Sequence, residues 1–436
     1  MVSDPLNKIF NNKIKDKNLK IGVIGLGYVG LPLLYSFSKN KKLKAFGFDT
    51  DKSKIDKLRA GKSYINYFKK KNILEMITNG VNFYNDFNKI KDIDFIIVCL
   101  PTPLKKNKSP DMSYIVNFMK SNSKYFKKNQ ALSLESTTYP GTCRELILPY
   151  LLKKKFKIGR DFSIIYSPER EDPGNKKFSL TKIPKVVGGL TNNCREIGSS
   201  IYSLLNIKII KTPSIEIAEM TKLLENIYRS VNIGMINELK VLCQKMNINI
   251  FDVIKAAKTK PFGFHAFYPG PGYGGHCIPI DPFLLTWRAK KFNFDTKFIK
   301  LSGLINNGMP NYIVNKILKL KKKFNIRKIL ILGIAYKKNV DDIRESPSFE
   351  IFELLKKKNF KVDYLDPYIP LIKSRKFKGK KKSISLKYEL IKKYDLSLIL
   401  TDHDSFNFKK IKSFSKVIID CRGRYQPDPM NNIFQA

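Results

Sequence analysis

Cys277 is the residue whose setting most favours covalent chemistry. It follows the glycines Gly274 and Gly275 and precedes an Asp-Pro step, Asp281 and Pro282, that is typical of the start of a helix. The positive end of a helix favours an ionised thiol, which is the nucleophilic form of cysteine. The sequence therefore predicts a reactive thiol at position 277. It leaves open whether Asp281 only caps the helix or also takes part in catalysis.

Lys222 and Asn226 are two polar residues within a segment that is predicted to form a long helix after Pro213. Residues four apart share one face of a helix, and this pair is offset from the apolar stripe. Taken alone, the pair is typical of a solvated face, and Glu169 in the segment SPERED is equally typical of a surface carboxylate. The apolar residues recur at three- and four-residue steps, at Ile217, Met220, Leu223, Leu224, Ile227, Val231, Met235, Leu239 and Leu242.

A glycine-rich turn, GLGYVG, follows an apolar run that predicts a strand at residues 20–25 and precedes a predicted helix. Gly25, Gly27 and Gly30 allow a tight turn in which the backbone approaches a pyrophosphate at the helix N-terminus. Asp49 ends the next predicted strand, where a carboxylate takes the adenosine ribose hydroxyls. This pattern predicts dinucleotide binding, with NAD favoured because a carboxylate repels the 2′-phosphate of NADP. The alternative is a packing turn, with Asp49 as a turn residue.

The predicted strands place these residues in an α/β fold. Apolar runs at residues 93–100, 131–135 and 162–166 each end in a polar loop. In an open parallel sheet such loops lie at the carboxyl ends of strands, where ligands bind. A further section alternates strands and a helix from residue 328 onward. We expect an N-terminal Rossmann-type domain at residues 1–211, a central helical domain at 212–318 and a Rossmann-like domain at 319–436.

The charge of the chain is strongly positive, with 82 Lys and Arg against 37 Asp and Glu among 436 residues, a formal net charge of +45. The lysines fall in short runs along the whole chain, which is typical of solvated surface. A nucleic-acid-binding protein on a dinucleotide fold is the remote alternative, but the sequence has no concentrated basic arm and no recognition motif. We therefore expect no nucleic-acid partner. The charge still favours the approach of an anionic ligand.

Cysteine and histidine usage indicates the compartment and the metal content. Six cysteines are spread without a CxxC pair, which predicts reduced thiols and a cytoplasmic location. His276 has no neighbouring metal-type ligands among only three histidines, so we expect no metal site. No apolar run reaches the length of a membrane span, so we also expect no membrane partner.

Seven segments, in order along the chain, resemble the UDP-glucose/GDP-mannose dehydrogenase family. The similarity extends from about residue 20 to residue 425, and the GGxCxxxD pattern is its most specific part. Within the family, the segments are most similar to those of the bacterial UDP-N-acetylglucosamine 6-dehydrogenases. The segments are GLGYVG (25–30), LPTP (100–103), ESTTYPGT (135–142), SPEREDPG (167–174), KLLEN (222–226), PGPGYGGHCIPID (269–281) and DDIRES (341–346).

The resemblance implies an NAD-dependent four-electron oxidation of a sugar C6 alcohol to a carboxylate. Cys277 would form a thiohemiacetal and then a thioester, which water hydrolyses. Lys222 and Asn226 would stabilise oxyanions, for which a cation and an amide donor are suited. Asp281 and Thr137 would hold and activate water, and Glu169 would assist hydrolysis.

The resemblance also implies binding residues, a homodimer built by the long helix, and a product that feeds surface polysaccharide synthesis. The cofactor contacts would be Gly25, Leu26, Gly27, Tyr28, Val29, Gly30, Asp49, Lys54, Thr102 and Arg344. The substrate contacts would be Tyr268, Gly270, Gly272, Tyr273, Gly274, Lys337 and Arg422.

The sugar is predicted from one position at which this sequence differs from the glucose-specific members of the family. Glucose-specific members of the family carry a second glutamate four residues after the one that matches Glu169, and here that position is Pro173. An N-acetylated sugar is therefore expected, with UDP-N-acetylglucosamine ahead of UDP-N-acetylmannosamine, UDP-N-acetylgalactosamine and UDP-glucose. A two-electron β-hydroxyacid or 6-phosphogluconate-type dehydrogenase is the nearest other enzyme class. Such enzymes need no thiol and lack a second α/β domain.

Overall fold

The computed structural model describes residues 5–65, 68–170, 182–275, 277–373 and 380–436. The chain divides into two compact units, Met1–Glu225 and Asn226–Ala436. In the described ranges no helix is both long and apolar enough to cross a bilayer. The predicted boundaries at residues 211 and 318 stay a prediction.

The first unit is built on an eight-stranded sheet in the order β3-β2-β1-β4-β5-β6-β7-β8. All neighbouring strands are parallel except β6 and β7, which are antiparallel. The order reverses between β1 and β4, and ligands bind at such a reversal in open α/β sheets. The strands are β1 (Leu19–Ile24), β2 (Leu43–Phe48), β3 (Asn82–Tyr84), β4 (Phe95–Val98), β5 (Gln130–Leu134), β6 (Phe162–Tyr166), β7 (Lys185–Gly189) and β8 (Ile209–Lys211).

Helices cover both faces of this sheet, so the central strands are fully buried and read as continuous apolar runs. They are α1 (Pro5–Lys15), α2 (Gly30–Ser38), α3 (Lys52–Arg59), α4 (Lys70–Thr78), α5 (Ser113–Asn122), α6 (Leu148–Lys153) and α7 (Asn192–Ser203). Strand β4 is shorter than the predicted 93–100, although the Asp94 backbone before it still donates to the Lys20 carbonyl oxygen and accepts from the Ala131 amide, both at 2.9 Å.

The long helix predicted after Pro213 is α8, Ile215–Lys245. Its polar face is the buried one. Lys222 is only 8% exposed and Asn226 4% exposed, so the solvated-face interpretation of this pair is wrong. The apolar residues Leu224, Met235 and Leu242 are instead exposed on the opposite side.

The second unit carries a five-stranded, all-parallel sheet in the order β10-β9-β13-β14-β15. Here the order reverses between β9 and β13, which again marks a ligand crevice at the carboxyl ends of the strands. The strands are β9 (Lys328–Leu332), β10 (Lys361–Leu365), β13 (Leu396–Ile399), β14 (Ile418–Asp420) and β15 (Ile433–Gln435), with a separate antiparallel pair β11 (Leu371–Lys373) and β12 (Lys380–Lys382). The helices are α9 (Ile250–Ala257), α10 (Asp281–Ala289), α11 (Lys297–Lys321), α12 (Pro347–Lys357) and α13 (Phe408–Phe414).

Candidate active site

The glycine turn between β1 and α2 has the geometry that a dinucleotide requires. Gly25 has a φ of +88°, and a Cβ atom there would lie 2.6 Å from the Cys99 carbonyl oxygen. A Cβ atom on Gly30 would lie 2.0 Å from the Gly25 carbonyl oxygen, so the helix start packs directly on the turn. Apart from its chain neighbours, no atom of the described ranges lies within 4 Å of the Cβ position of Gly27. That open space is where a pyrophosphate can approach the backbone.

Asp49 follows β2 beside this turn and is buried. Its carboxylate accepts hydrogen bonds from the Leu26 amide at 3.0 Å and the Asp51 amide at 2.9 Å, and Lys54 Nζ lies 3.1 Å away. Gly25, Asp49 and Lys54 line a cavity of about 530 Å³ within the first unit. Tyr28 and Val29 are exposed at the turn. These residues fit a dinucleotide.

Two loops at the ends of β4 and β5 are tied together in the first unit. Thr102 Oγ1 donates to the Thr137 carbonyl oxygen at 2.7 Å, and the Leu100 amide donates to Ser136 Oγ at 2.9 Å. A predicted cofactor residue and a predicted catalytic residue therefore lie side by side. No local pattern in the sequence indicates that these two residues are neighbours, because the two loops are about 35 residues apart in the chain.

Glu219 on α8 holds the far end of the second loop and was missed from the sequence. Its carboxylate accepts the amides of Gly141 at 2.5 Å and Cys143 at 3.0 Å. Burial raises the pKa of Glu219 to about 7 although both amides favour the charged form. In the sequence, Glu219 is a charged residue on the same face of the predicted helix as Lys222 and Asn226, and that position alone does not indicate that it is buried.

Glu169 follows β6, and its side chain is only 13% exposed. Its Oε1 accepts the Arg170 amide at 2.7 Å, and its Oε2 lies 3.5 Å from Lys185 Nζ. Lys185 lies in the buried strand β7 and was also missed, although a lysine among apolar strand residues is an unusual feature. Residues 171–181, which include Pro173, lie outside the described ranges.

The thiol of Cys277 is exposed in the second unit and lies just before α10. Its carbonyl oxygen accepts the amides of Ile280 at 3.0 Å and Asp281 at 2.8 Å, which starts the helix. Ile280 precedes α10 without a side-chain cap, and Asp281 is the first residue of the helix. The Asp281 carboxylate accepts Asn226 Nδ2 at 2.6 Å, and both side chains are buried.

The loop at residues 268–275 brings the predicted substrate residues of the second unit together. A Cβ atom on Gly270 would lie 2.8 Å from an Arg422 guanidinium nitrogen, and one on Gly274 would lie 2.8 Å from Tyr336 Cβ. Tyr336 precedes Lys337 in the loop after β9. Arg344, in the same loop, pairs with Asp342 at 2.6 Å. The remaining predicted loop residues are Tyr268, which is exposed, Gly272, which has a φ of +122°, and Tyr273, which is buried.

Across the described ranges no group of three or more His, Cys, Asp or Glu side chains has a metal-binding arrangement. His276 lies outside those ranges.

Comparison with known proteins places the chain. Models of the UDP-glucose/GDP-mannose dehydrogenase family match residues 19–206 (NAD binding domain), 216–308 (central domain) and 330–427 (UDP binding domain). The chain belongs to this family. It is an NAD-dependent nucleotide-sugar dehydrogenase with an N-terminal Rossmann domain, a central helical domain and a C-terminal UDP-binding domain, as the resemblance implied.

Three relatives illustrate the match. The UDP-N-acetyl-D-glucosamine 6-dehydrogenase of Pseudomonas aeruginosa is 34% identical over 81% of this chain and 84% of its own. The UDP-N-acetyl-D-mannosamine dehydrogenase of Methanococcus vannielii is also 34% identical, over 93% and 90%. A solved structure of the UDP-N-acetyl-mannosamine dehydrogenase from Staphylococcus aureus has a TM-score of 0.81 at 31% identity, covering 95% of this chain and 98% of its own.

Proposed function

We propose that this enzyme oxidises the C6 hydroxyl of a UDP-N-acetylhexosamine to a carboxylate through a covalent Cys277 intermediate. The observation that carries the proposal is the exposed Cys277 thiol at the start of α10, one turn before an Asp281 carboxylate that the buried Asn226 amide holds at 2.6 Å. An enzyme that only converts an alcohol to an aldehyde has no use for a thiol at this position.

The chemistry balances with one thiol and two cofactor molecules. NAD supplies the acceptor for two hydrides, one in each oxidation step. The Cys277 thiolate adds to the C6 aldehyde carbon to form a thiohemiacetal, whose oxyanion Lys222 and Asn226 stabilise. Loss of the second hydride and of the hydroxyl proton leaves a thioester. Water, held by Asp281 and Thr137 and deprotonated by Glu169, displaces the thiol and releases the carboxylate.

The roles of the binding residues follow from the same proposal. The glycine turn with Asp49, Lys54 and Thr102 holds NAD, and Arg344 adds a contact to it. The loop at residues 268–274, Lys337 and Arg422 bind the UDP-sugar. The basic side chains suit the diphosphate, because cations bind phosphate oxygens with charge-assisted hydrogen bonds.

UDP-N-acetylglucosamine is the proposed sugar nucleotide, and UDP-N-acetylmannosamine is the second candidate. Pro173, where glucose-specific members carry glutamate, supports the acetamido sugar. Relatives named for each of the two sugars are equally similar, at 34% identity, which supports keeping both. The product is proposed to enter surface polysaccharide synthesis.

A homodimer and a cytoplasmic location complete the proposal. The exposed apolar side of α8 supports the dimer, because large exposed apolar stripes mark protein interfaces. All six cysteines are free thiols, which supports a reducing compartment.

The experiment is NADH formation at 340 nm with purified protein, NAD and each of the four UDP-sugars. Two NADH per sugar consumed are expected with UDP-N-acetylglucosamine. Cys277→Ser is expected to lower steady-state turnover at least about 10³-fold, because the covalent step is lost. Cys243→Ser, at a half-buried thiol on α8, is the matched control and should keep turnover. One NADH per sugar, or full turnover without Cys277, would contradict the four-electron mechanism.

A further inference from the structure

Two buried asparagines connect α8 and α11 to the loop at residues 268–274 in the second unit. Asn237, on α8, is fully buried, and Asn306, on α11, is 1% exposed. Asn237 Nδ2 donates to Asn306 Oδ1 at 2.8 Å, and Asn237 Oδ1 accepts the Gly270 amide at 3.0 Å. Both ends of the Asn237 amide group therefore have partners inside the protein, as a buried polar group requires.

The bond at Gly270 fixes the direction of the whole chain of hydrogen bonds. A backbone amide can only donate, so Asn237 presents its oxygen to Gly270 and its nitrogen to Asn306. Asn306 must then present its oxygen to Asn237 and turn its nitrogen away. That nitrogen donates to the Ser302 carbonyl oxygen at 2.8 Å and to the Ser230 carbonyl oxygen at 3.3 Å. Hydrogen bonds that are aligned in one direction strengthen one another.

A close approach of α8 and α11 allows this chain of hydrogen bonds to form. A Cβ atom on Gly234 of α8 would lie 3.0 Å from Ser302 Cβ and 3.1 Å from Asn306 Nδ2. The same part of α11 also supports the loop directly, because a Cβ atom on Gly272 would lie 3.0 Å from the Asn306 carbonyl oxygen. The loop therefore packs on α11 at Gly272 and is hydrogen-bonded to α8 at Gly270.

Gly270 is the only residue of the segment 269–271 that has a backbone amide hydrogen. Pro269 and Pro271 lie on either side of it, and proline cannot donate. Gly270 also faces Arg422, since a Cβ atom on this glycine would lie 2.8 Å from a guanidinium nitrogen of that arginine. The hydrogen bond to Asn237 therefore fixes the distance between this segment of the loop and the Arg422 guanidinium.

We propose that Asn237 and Asn306 are positioning residues that hold Gly270 at the distance from Arg422 that the diphosphate of the UDP-sugar requires. Arg422 is fixed from its own side, because its Nε donates to the Leu400 carbonyl oxygen at 2.6 Å. The inference rests on the proposed function only for the binding of the UDP moiety by this loop and Arg422. In this role the two asparagines act through the loop and not on the reacting atoms.

The substitution Asn237→Leu removes both hydrogen bonds and keeps a side chain of similar size. The Gly270 amide then loses its acceptor, so the loop is no longer held beside Arg422. We expect the Kd for UDP to rise about tenfold, as expected when one buried donor is left without a partner. The KM for the UDP-sugar should rise with it, whereas kcat and the KM for NAD should change little, because the lost interaction contributes to binding of the ground state and of the transition state alike.

Gln244→Leu is the matched control. Gln244 lies two turns further along α8 and also joins this helix to α11, since Lys316 Nζ donates to its Oε1 at 3.2 Å and Tyr312 OH donates to the same oxygen. The substitution removes polar contacts between the same two helices but no hydrogen bond to the loop. It is expected to lower the melting temperature and to leave the Kd for UDP in place.

Two measurements on the full-length protein test the proposal. Isothermal titration calorimetry with UDP gives the Kd. Hydrogen exchange followed by mass spectrometry reports the loop, because Gly270 is the only residue between Tyr268 and Gly272 that has an amide hydrogen. Without ligand, this amide should exchange slowly in the wild type and in Gln244→Leu, and at least about tenfold faster in Asn237→Leu.

If Asn237→Leu does not fold, Asn237→Asp tests the same bond. Aspartate has the shape of asparagine and keeps an acceptor for the Gly270 amide, but it lacks the nitrogen that donates to Asn306. The Gly270 amide should therefore stay protected, while peptides of α11 around Ser302 exchange faster. Rapid exchange at Gly270 in this variant would overturn the proposal, because the acceptor is still present.

The outcomes separate this inference from the proposed function. A Kd for UDP that stays in place in Asn237→Leu, or that rises equally in Gln244→Leu, would overturn the positioning role even if the wild type makes two NADH per sugar. A Kd that rises only in Asn237→Leu, in a protein that oxidises none of the UDP-sugars, would support the positioning role and overturn the proposed function alone.

Discussion

Asn226 illustrates how a buried side chain can hold a proposed catalytic residue in place. Its amide nitrogen donates to Asp281 at 2.6 Å, and both side chains are at most 4% exposed. A buried carboxylate needs such a donor, because an unpaired charge in the interior is costly. The amide therefore fixes the orientation of Asp281, four residues after the proposed nucleophile Cys277.

We expect Asn226→Ala to lower kcat about 10²- to 10³-fold, which is the range for losing one donor to a developing oxyanion. The KM for NAD should stay unchanged, because the glycine turn and Asp49 lie in the first unit, away from Asn226 in the sequence. Steady-state kinetics with both substrates varied measure this. Asn232→Ala on the same helix, whose amide donates to the Tyr228 carbonyl oxygen one turn earlier, is the control. Equal losses in both variants would show a general effect on the helix.

The turn between β1 and α2 contains glycines that lack a side chain for different physical reasons. The fold leaves no space for a side chain at Gly30, because its Cβ atom would lie 2.0 Å from the Gly25 carbonyl oxygen. Within the described part of the chain, Gly27 has open space around its Cβ position, so the room there is available to the proposed cofactor. Substitution at Gly30 therefore tests the stability of the fold, and substitution at Gly27 tests cofactor binding.

We predict that Gly30→Ala destabilises the first unit by about 1–3 kcal/mol, as overpacking does, and also weakens NAD binding. Gly27→Ala should leave the melting temperature of the cofactor-free protein unchanged but weaken NAD binding about tenfold or more. Thermal melts without NAD and calorimetric titrations with NAD measure the two effects. Equal destabilisation by both substitutions would contradict the separate roles.

The whole molecule leaves an apolar stripe on α8 in solvent. Tyr228 is 45% exposed, Met235 46%, Leu239 38% and Leu242 50%. Their spacing of three, four and seven residues keeps them on one side, opposite the buried Lys222 and Asn226. An apolar side of this length on a chain of net charge +45 needs a partner surface without strong repulsion, which a second copy of the same stripe supplies.

We expect the wild type to elute as a dimer in size-exclusion chromatography with light scattering. The double substitution of Met235→Lys and Leu239→Lys should give a monomer, because burying two ammonium groups on each copy is prohibitive. Leu152→Lys, at an isolated leucine on α6 that is 55% exposed, is the matched control and should remain dimeric. A dimer in the double variant would show that another surface forms the interface.

Local patterns in the chain were enough for several of these features. The glycine turn, the strand before it and the acidic residue after β2 depend on neighbours within one βαβ unit, so their spacing predicted an NAD-binding domain correctly. Cys277 and the Gly/Pro-rich loop before it depend only on adjacent residues. The parallel strands of the two sheets were expected for the same reason, since each βαβ unit is a local pattern, whereas the antiparallel pairing of β6 with β7 was not expected.

Contacts between residues far apart in the sequence determine the other features of the candidate site. The Lys185–Glu135 pair joins residues 50 apart in sequence through the pairing of β5, β6 and β7, and no local pattern indicates it. Helical periodicity placed Lys222 and Asn226 on one face of α8, but the choice of which face to bury depends on what packs against it. The polar face became the buried one because its charges and amides found partners there, and partners are a property of the tertiary structure.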